Sequence, residues 1–447
     1  MKQTAVWQSL ERTHRRAPGV GATRCGRWRL LALAALAGLL LAQAVAPAQA
    51  QVVELEYWHF YSGLIGEVHA SLVEEFNREH PHIRVNEVYS GSEWTMRDKL
   101  LAALSAGSGP DVAGIDQFWI SQLAAGGHVV PVDEFIAATP GFDVTDVFPV
   151  YWETGRYNGR IWSMPFAISN AVMYYNKDLL AAVGLTEEDV PRTWDELLRL
   201  AETKADEWRR RGIWVLDAPT TAQTGVVYYF LITVWQHGGD MYTPELDRVA
   251  FDSEAGRRAL ALWQRLVETG ILDLKRPDRT FESGRALFQL SSSARILSSY
   301  AQLPFEWGVA PIPYADRRAT GIGGRNLAIL TRDPAKQAAA WTFIQWMTGA
   351  ETNLRFSAAT GYSPLRQSGY SSAAFQELLS ANPDVERALH EMIYARPRPN
   401  VPSYSDASRV LGEAVERVLY TGGDARALDE AAREANEIIE RYARLGQ

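Results

Sequence analysis

The order of hydrophobic periods between residues 51 and 119 limits the fold more than any other feature of this chain. Val53, Leu55 and Tyr57 alternate with Glu54 and Glu56, the period of a strand. Ile65, Val68, Leu72, Val73 and Phe76 then recur at helical spacing until Pro81 stops the helix. Ile83 to Tyr89 reads as a second strand and Arg97 to Ser105 as a second helix, closed by the turn Gly107-Ser108-Gly109-Pro110. Asp111 to Ile115 is a third strand. This β-α-β-α-β order predicts an α/β fold with a parallel sheet and helices on both faces.

A second set of units follows. Ala171 to Tyr175 is an apolar, aromatic strand, preceded by a polar Ser169-Asn170 step and turning at Asn176-Lys177-Asp178 into a helix. Thr193 and Ser253 are placed to cap helices, and another helix runs from about Thr224 to Gln236. A strand over Asn326 to Thr331 leads to the helix Ala335 to Met347. Four helices close the chain: Ala373 to Leu379, Pro383 to Tyr394, Ser405 to Tyr420 and Ala427 to Arg444. Nothing reads as a repeat, a low-complexity tract or an interdomain tether.

Arg24, Arg27 and Arg29, the apolar run Leu30 to Ala46 and the ending Ala48-Gln49-Ala50 predict a signal peptide over residues 1–50. The apolar run approaches the ~20 residues that span a bilayer, but the small-x-small ending favours cleavage near Ala50 over an anchor. The only cysteine, Cys25, lies before the apolar run, so residues 51–447 contain no thiol for a disulfide, a lipid anchor or catalysis. A periplasmic or secreted location is expected. Residues 1–50 carry seven of the 45 Lys/Arg and one of the 53 Asp/Glu, leaving 38 against 52 and a formal charge of −14. That balance argues against a nucleic-acid partner. About 397 remaining residues call for two domains.

Signatures of chemistry are missing. His59, His69, His80, His82, His128, His237 and His390 form no metal-ligand spacing, and no nucleophile elbow or phosphate-cradling loop occurs. No catalytic residue, metal or cofactor is expected. Polar-aromatic clusters instead close three strands in succession: Tyr57 to Gly63, Ser90 to Trp94, and Asp116 to Trp119. Strand carboxyl ends are where open α/β sheets bind ligands.

Several segments carry a resemblance, in order: Phe76-Asn77 with Pro81, Gly109-Pro110-Asp111-Val112, Pro165-Phe166 with Tyr174-Tyr175-Asn176-Lys177, and Thr193-Trp194-Asp195-Glu196-Leu197. Gly284-Arg285-Ala286-Leu287-Phe288 and Gly308 to Pro313 complete the set. Together they resemble family 1 extracellular solute-binding proteins over nearly all of residues 51–447. The resemblance implies a two-lobed periplasmic binding protein fold, type II-like, with a ligand cleft between lobes. Lobe one would comprise 51–166 plus about 316–364, and lobe two 167–315 plus about 365–447. It also implies a monomeric receptor that hands a small molecule to the membrane subunits of an ATP-binding-cassette (ABC) importer.

Trp58-His59 with Gly63, and Thr360 to Pro364, are similar to the receptors of glycerol-3-phosphate and glycerophosphodiesters within that family, whereas Arg396 to Tyr404 looks more like receptors for di- and oligosaccharides. Glycerol-3-phosphate, a glycerophosphodiester or a related carbohydrate is therefore the expected ligand, with a maltose- or trehalose-type sugar as the alternative. A secreted glycosidase and a sensory module are less favoured classes. On this reading Trp58, Trp94 and Trp235 supply apolar walls, and Glu93, Asp116 and Gln117 accept hydroxyl hydrogen bonds. Ser169, Ser292, Ser293, the Gly323-Gly324 amides and Tyr362 complete the site. Arg396 is the candidate for a phosphate, and its plainer reading is a salt bridge beside a proline turn.

Overall fold

In the computed structural model, which describes residues 52–445 apart from Thr224, the expected alternation folds into a mixed α/β architecture built on one strand. The signal-peptide reading falls on residues 1–50, outside the described residues. Strands β1 (Val53–His59), β2 (Ile83–Tyr89) and β3 (Val112–Asp116) pair in parallel in the order β2-β1-β3, as the sequence order requires. The helix Gly63–Glu79 crosses between the first two and buries His69, Leu72, Val73 and Phe76. A hairpin, β4 (Arg156–Tyr157) and β5 (Arg160–Ile161), turns on Asn158-Gly159, both at positive φ.

β6 (Met164–Asn176) is buried at all thirteen positions. Its first part pairs antiparallel with β10 (Thr320–Ile329), which also pairs antiparallel with β3. Its second part pairs with β8 (Ala286–Ser292) and β9 (Trp307–Ala310), and β7 (Trp214–Asp217) lies parallel to β8. The two-residue β11 (Ala395–Arg396) lies against the start of β10. The sheet is thus mixed, parallel among β1 to β3, between β7 and β8 and between β10 and β11, and antiparallel around β6, through which the path β2-β1-β3-β10-β6-β8-β7 runs. By its contacts the chain from Val53 onward is one unit.

Boundaries differ from the sequence reading where apolar period carries no signal. β10 starts six residues before Asn326, because Ile322 to Arg325 pairs with β6 and Thr320-Gly321 with β11, pairings that leave no apolar period. The second helix starts at Glu93, with Ser92 Oγ accepting from Thr95 N. The helix from Pro383 ends at His390, and Glu391–Tyr394 tightens into a 3₁₀ turn. Thr193 caps its helix through a reciprocal bond with Glu196, and Ser253 accepts from Gly256 N. Among the described residues no helix is long and apolar enough to cross a membrane.

One buried polar network ties β1 and β2 to the first helix. Glu87 Oε1 lies 2.8 Å from both His59 Nε2 and His69 Nδ1, and Tyr57 OH lies 3.0 Å from His69 Nε2. The Tyr61 backbone N–H donates to His59 Nδ1 at 3.1 Å. With Nδ1 accepting that bond, the proton of a singly protonated His59 ring sits on Nε2, 2.8 Å from Glu87 Oε1. This spacing is the one among the described residues that could hold a metal, but with the proton on Nε2, His59 has no free lone pair to offer there. Burial alone would raise the Glu87 carboxyl, yet the two imidazoles beside it, His59 and the hydrogen-bonded His69, outweigh it and hold its pKa at about 2. Burial lowers the pKa of His69.

Both shifts have the same sign in stability. A depressed folded pKa gives stability that is present above the unfolded value and lost as pH falls. The melting temperature should fall as pH drops below about 6.5, the unfolded histidine value, and fall again below about 4.3, where unfolded glutamate titrates. Glu87→Gln should cost about 2–3 kcal/mol in urea denaturation at pH 7 and flatten the lower step; an unaltered acid limb would refute this account.

Candidate functional site

The cleft over the middle of β6 has a volume of ≈ 1060 Å³. Its floor is Ser169 on β6 and Gly323-Gly324 on β10, with Ser169 and Gly323 directly opposed in the ladder. Ser292, at the end of β8, donates its hydroxyl to Ser169 Oγ at 3.0 Å. From the first half come Glu93, Trp94, Asp116 and Phe118; from the second come Tyr228 on the helix Val226–Gln236, Arg398, and Tyr404 at the start of the helix Tyr404–Thr421. Tyr362 and Arg325 meet at one side, where the guanidinium donates to the phenol oxygen.

The centre of this arrangement is an ion pair across the cleft. Asp116, the last residue of the buried β3, caps the 3₁₀ turn Gln117–Trp119 by accepting from Phe118 N. The same oxygen accepts from Arg398 Nη2 at 2.7 Å, with side-chain exposures of 7% and 13%. The Arg398 guanidinium lies 4.2 Å over Phe118 and 5.5 Å from the Tyr228 ring. Tyr404 packs 5.5 Å from Phe118, and the half-exposed Trp94 extends this aromatic wall toward the mouth, 6.4 Å away. Burial, then the neighbouring Asp116 charge, pushes the Glu93 carboxyl up to about 7 against the lowering effect of Arg398 and Arg325. Such a carboxyl can accept or donate a hydrogen bond near neutral pH.

The structure gathers Glu93, Trp94, Asp116, Ser169, Ser292, Gly323, Gly324 and Tyr362 in this cleft. Five other expected residues lie elsewhere. Trp58 turns back to donate to Glu56 at 2.5 Å. Gln117 is buried and donates to Ile322 O at 2.7 Å, locking β3 to β10. Ser293 Oγ accepts from Asn170 N, a strand-end contact. Trp235 is 1% exposed and donates to Asp240. Arg396 pairs with Asp240 at 2.5 Å and lies 5.0 Å from the Trp235 ring, in a separate groove, so the salt-bridge reading describes its position. The guanidinium that enters the cleft is Arg398, two residues on. A proline follows each arginine, so no periodicity in the sequence could separate them.

Comparison with known proteins settles the family. The model for bacterial extracellular solute-binding proteins matches residues 71–385. The chain belongs to that family. This solute-binding protein is 26% identical over 419 residues to the sn-glycerol-3-phosphate-binding periplasmic protein of Pectobacterium atrosepticum, covering 87% of this chain and 92% of the relative. Its fold matches the cyclic α-maltosyl-1,6-maltose binding protein of Arthrobacter globiformis, with a TM-score of 0.77 and 27% identity over 87% of this chain and all of the other. It also matches UgpB of Mycobacterium tuberculosis in complex with glycerophosphocholine, with a TM-score of 0.76 and 23% identity over 87% and 98% of the two chains.

The Glu93 shift gives a direct check on the solute-binding protein. A folded pKa raised above its unfolded value contributes stability that is fully present below about 4.3 and lost as pH rises through 7. Glu93→Gln, which stays neutral, should therefore match the wild type at pH 4.5 and exceed it by about 1–2 kcal/mol at pH 8. Equal stability at both pH values would place Glu93 outside the influence of Asp116.

Proposed function

We propose that this protein is the substrate-binding receptor of an ABC importer and takes a carbohydrate-class ligand into the cleft over β6. The Asp116–Arg398 pair on the Phe118 face carries this reading. A sugar ring presents hydroxyls at its edge and an apolar face, so it needs paired acceptors and donors beside an aromatic wall. Glu93, Ser169 and Ser292 add acceptors and donors around that pair. The cleft volume lies just above the ~300–1,000 Å³ usual for small-molecule sites, which favours a disaccharide or larger ligand over a three-carbon one. A glycerophosphodiester is the second reading, supported by the glycerol-3-phosphate relatives and by Arg325 in the cleft wall.

In this reading the lobes are residues 53–166 with about 316–364, and 167–315 with about 365–447, hinged where β6 and β10 cross. Asp116 belongs to the first and Arg398 to the second. A ligand touching both stabilises the closed form by its differential contacts, and the closed form is what the importer's membrane subunits recognise. The receptor acts as a monomer from outside the cytoplasmic membrane and carries out no covalent step.

Thermal-shift and calorimetric titration with maltose, trehalose, larger glucosides, glycerol-3-phosphate and glycerophosphocholine should give at least one ligand with saturable binding. Asp116→Asn and Arg398→Ala should each weaken it by about 2–5 kcal/mol, as expected when one partner of a buried charge pair is removed. Failure of every sugar, polyol and phosphodiester to move the melting temperature would sink the assignment.

A further inference from the structure

Most charged side chains around the cleft already have a partner. Asp116 holds Arg398, Glu282 holds Arg295, Glu413 holds Arg409, and Asp406 accepts from Tyr442. Arg325 is different. Among the described residues it makes no ion pair; its guanidinium donates to Tyr362 OH and lies 4.3 Å over Phe60 and 5.3 Å over Tyr61. Its Nε is buried with no hydrogen-bond partner. A partly buried guanidinium without a contacting anion is costly to keep, and here it lines the ligand cleft.

The backbone is built to put it there. β10 shifts register against β6 between Arg325 and Asn326, a local irregularity of the kind that re-aims a side chain beside a site. The residue before it, Gly324, sits at φ 149°, and a Cβ there would stand 2.5 Å from Ala167 O. Nearby Glu93 and Asp116 act on Arg325 through space without contacting it.

We propose that Arg325 is a specificity-determining residue that seats an oxyanion of the ligand, so that the preferred solute is an acidic carbohydrate or polyol bearing a carboxylate or a phosphate. The guanidinium fork fits either group. The inference rests on the receptor reading above and names its ligand class. Asp116, Arg398 and the aromatic wall hold the sugar or polyol portion. An anion on Arg325 also favours the protonated form of Glu93, so the site avoids facing the ligand with a full carboxylate.

Matched pairs test it: digalacturonate against galactobiose for the carboxylate arm, and glycerol-3-phosphate against glycerol for the phosphate arm, titrated calorimetrically into the mature wild type, Arg325→Gln and Arg325→Lys. The expected result is at least a tenfold preference for the acidic member of one pair in the wild type, collapsing toward one in Arg325→Gln and partly kept in Arg325→Lys. Whichever pair shows the preference identifies the oxyanion. The wild-type comparison stands even if a variant folds poorly. Binding of neutral sugars alone, or an acidic preference untouched in Arg325→Gln, overturns the role of Arg325 and leaves the receptor reading intact; binding of no member of either pair, or of any other sugar, overturns both.

Discussion

Everything in this molecule hangs on the shared strand β6. Thirteen consecutive buried residues leave no backbone group free to face water, so each must find a partner in the sheet. β10 serves Met164 to Asn170, and β8 with β9 serves Ala171 to Asn176. The change of partners falls at Ser169-Asn170-Ala171, where the side chains are small or polar. Asn170 spans the change, taking Ser293 Oγ with its N–H and donating its amide to Ala388 O. The cleft lies over that change of partners.

The cleft is organised by charge held in contact with aromatic rings. Arg398 lies on Phe118 and faces Tyr228, and Arg325 lies on Phe60 and Tyr61. Ring faces stabilise a guanidinium without consuming its hydrogen bonds, so both cations keep donors for a ligand. Asp116 uses one oxygen for a backbone cap and for Arg398, which fixes its position before any ligand arrives. Preorganised groups of this kind reduce the ordering cost of binding.

Element order was readable because burial on one face writes a period into the sequence. β1 to β3, the capping residues Thr193 and Ser253, and the turn at Asn176, whose side chain accepts from Leu179 N, follow from that period or from short-range chemistry. Ser169, Ser292 and Tyr362 came from the family's motifs. Arg325 and Arg398 did not, for two physical reasons. The first follows a glycine run and precedes a register shift that exists only through pairing with β6, and the second lies in a proline-rich segment whose path is set by Asn400 bonding Ser121 N and Arg156 O. Trp58 and Trp235 mark the opposite failure: an aromatic residue near a strand end or on a cleft-side helix is as easily spent on the core, and local sequence does not say which way its ring turns.

The glycines of β10 show how fold and site draw on the same residues. A side chain at Gly321 would strike the Tyr228 ring at 2.6 Å, and Tyr228 OH in turn donates to Gly321 O at 2.7 Å. The missing side chains therefore let the second half's helix press directly on the floor strand, bringing Tyr228 into the cleft. They also leave a stretch of β10 backbone bare at the base of the cavity, beside Ser169 and Ser292. A larger residue at Gly321 would displace Tyr228, and one at Gly324 would strike the Ala167 carbonyl of β6. The run Gly321-Ile322-Gly323-Gly324 is thus a contact surface that lets two strands and a helix approach closely.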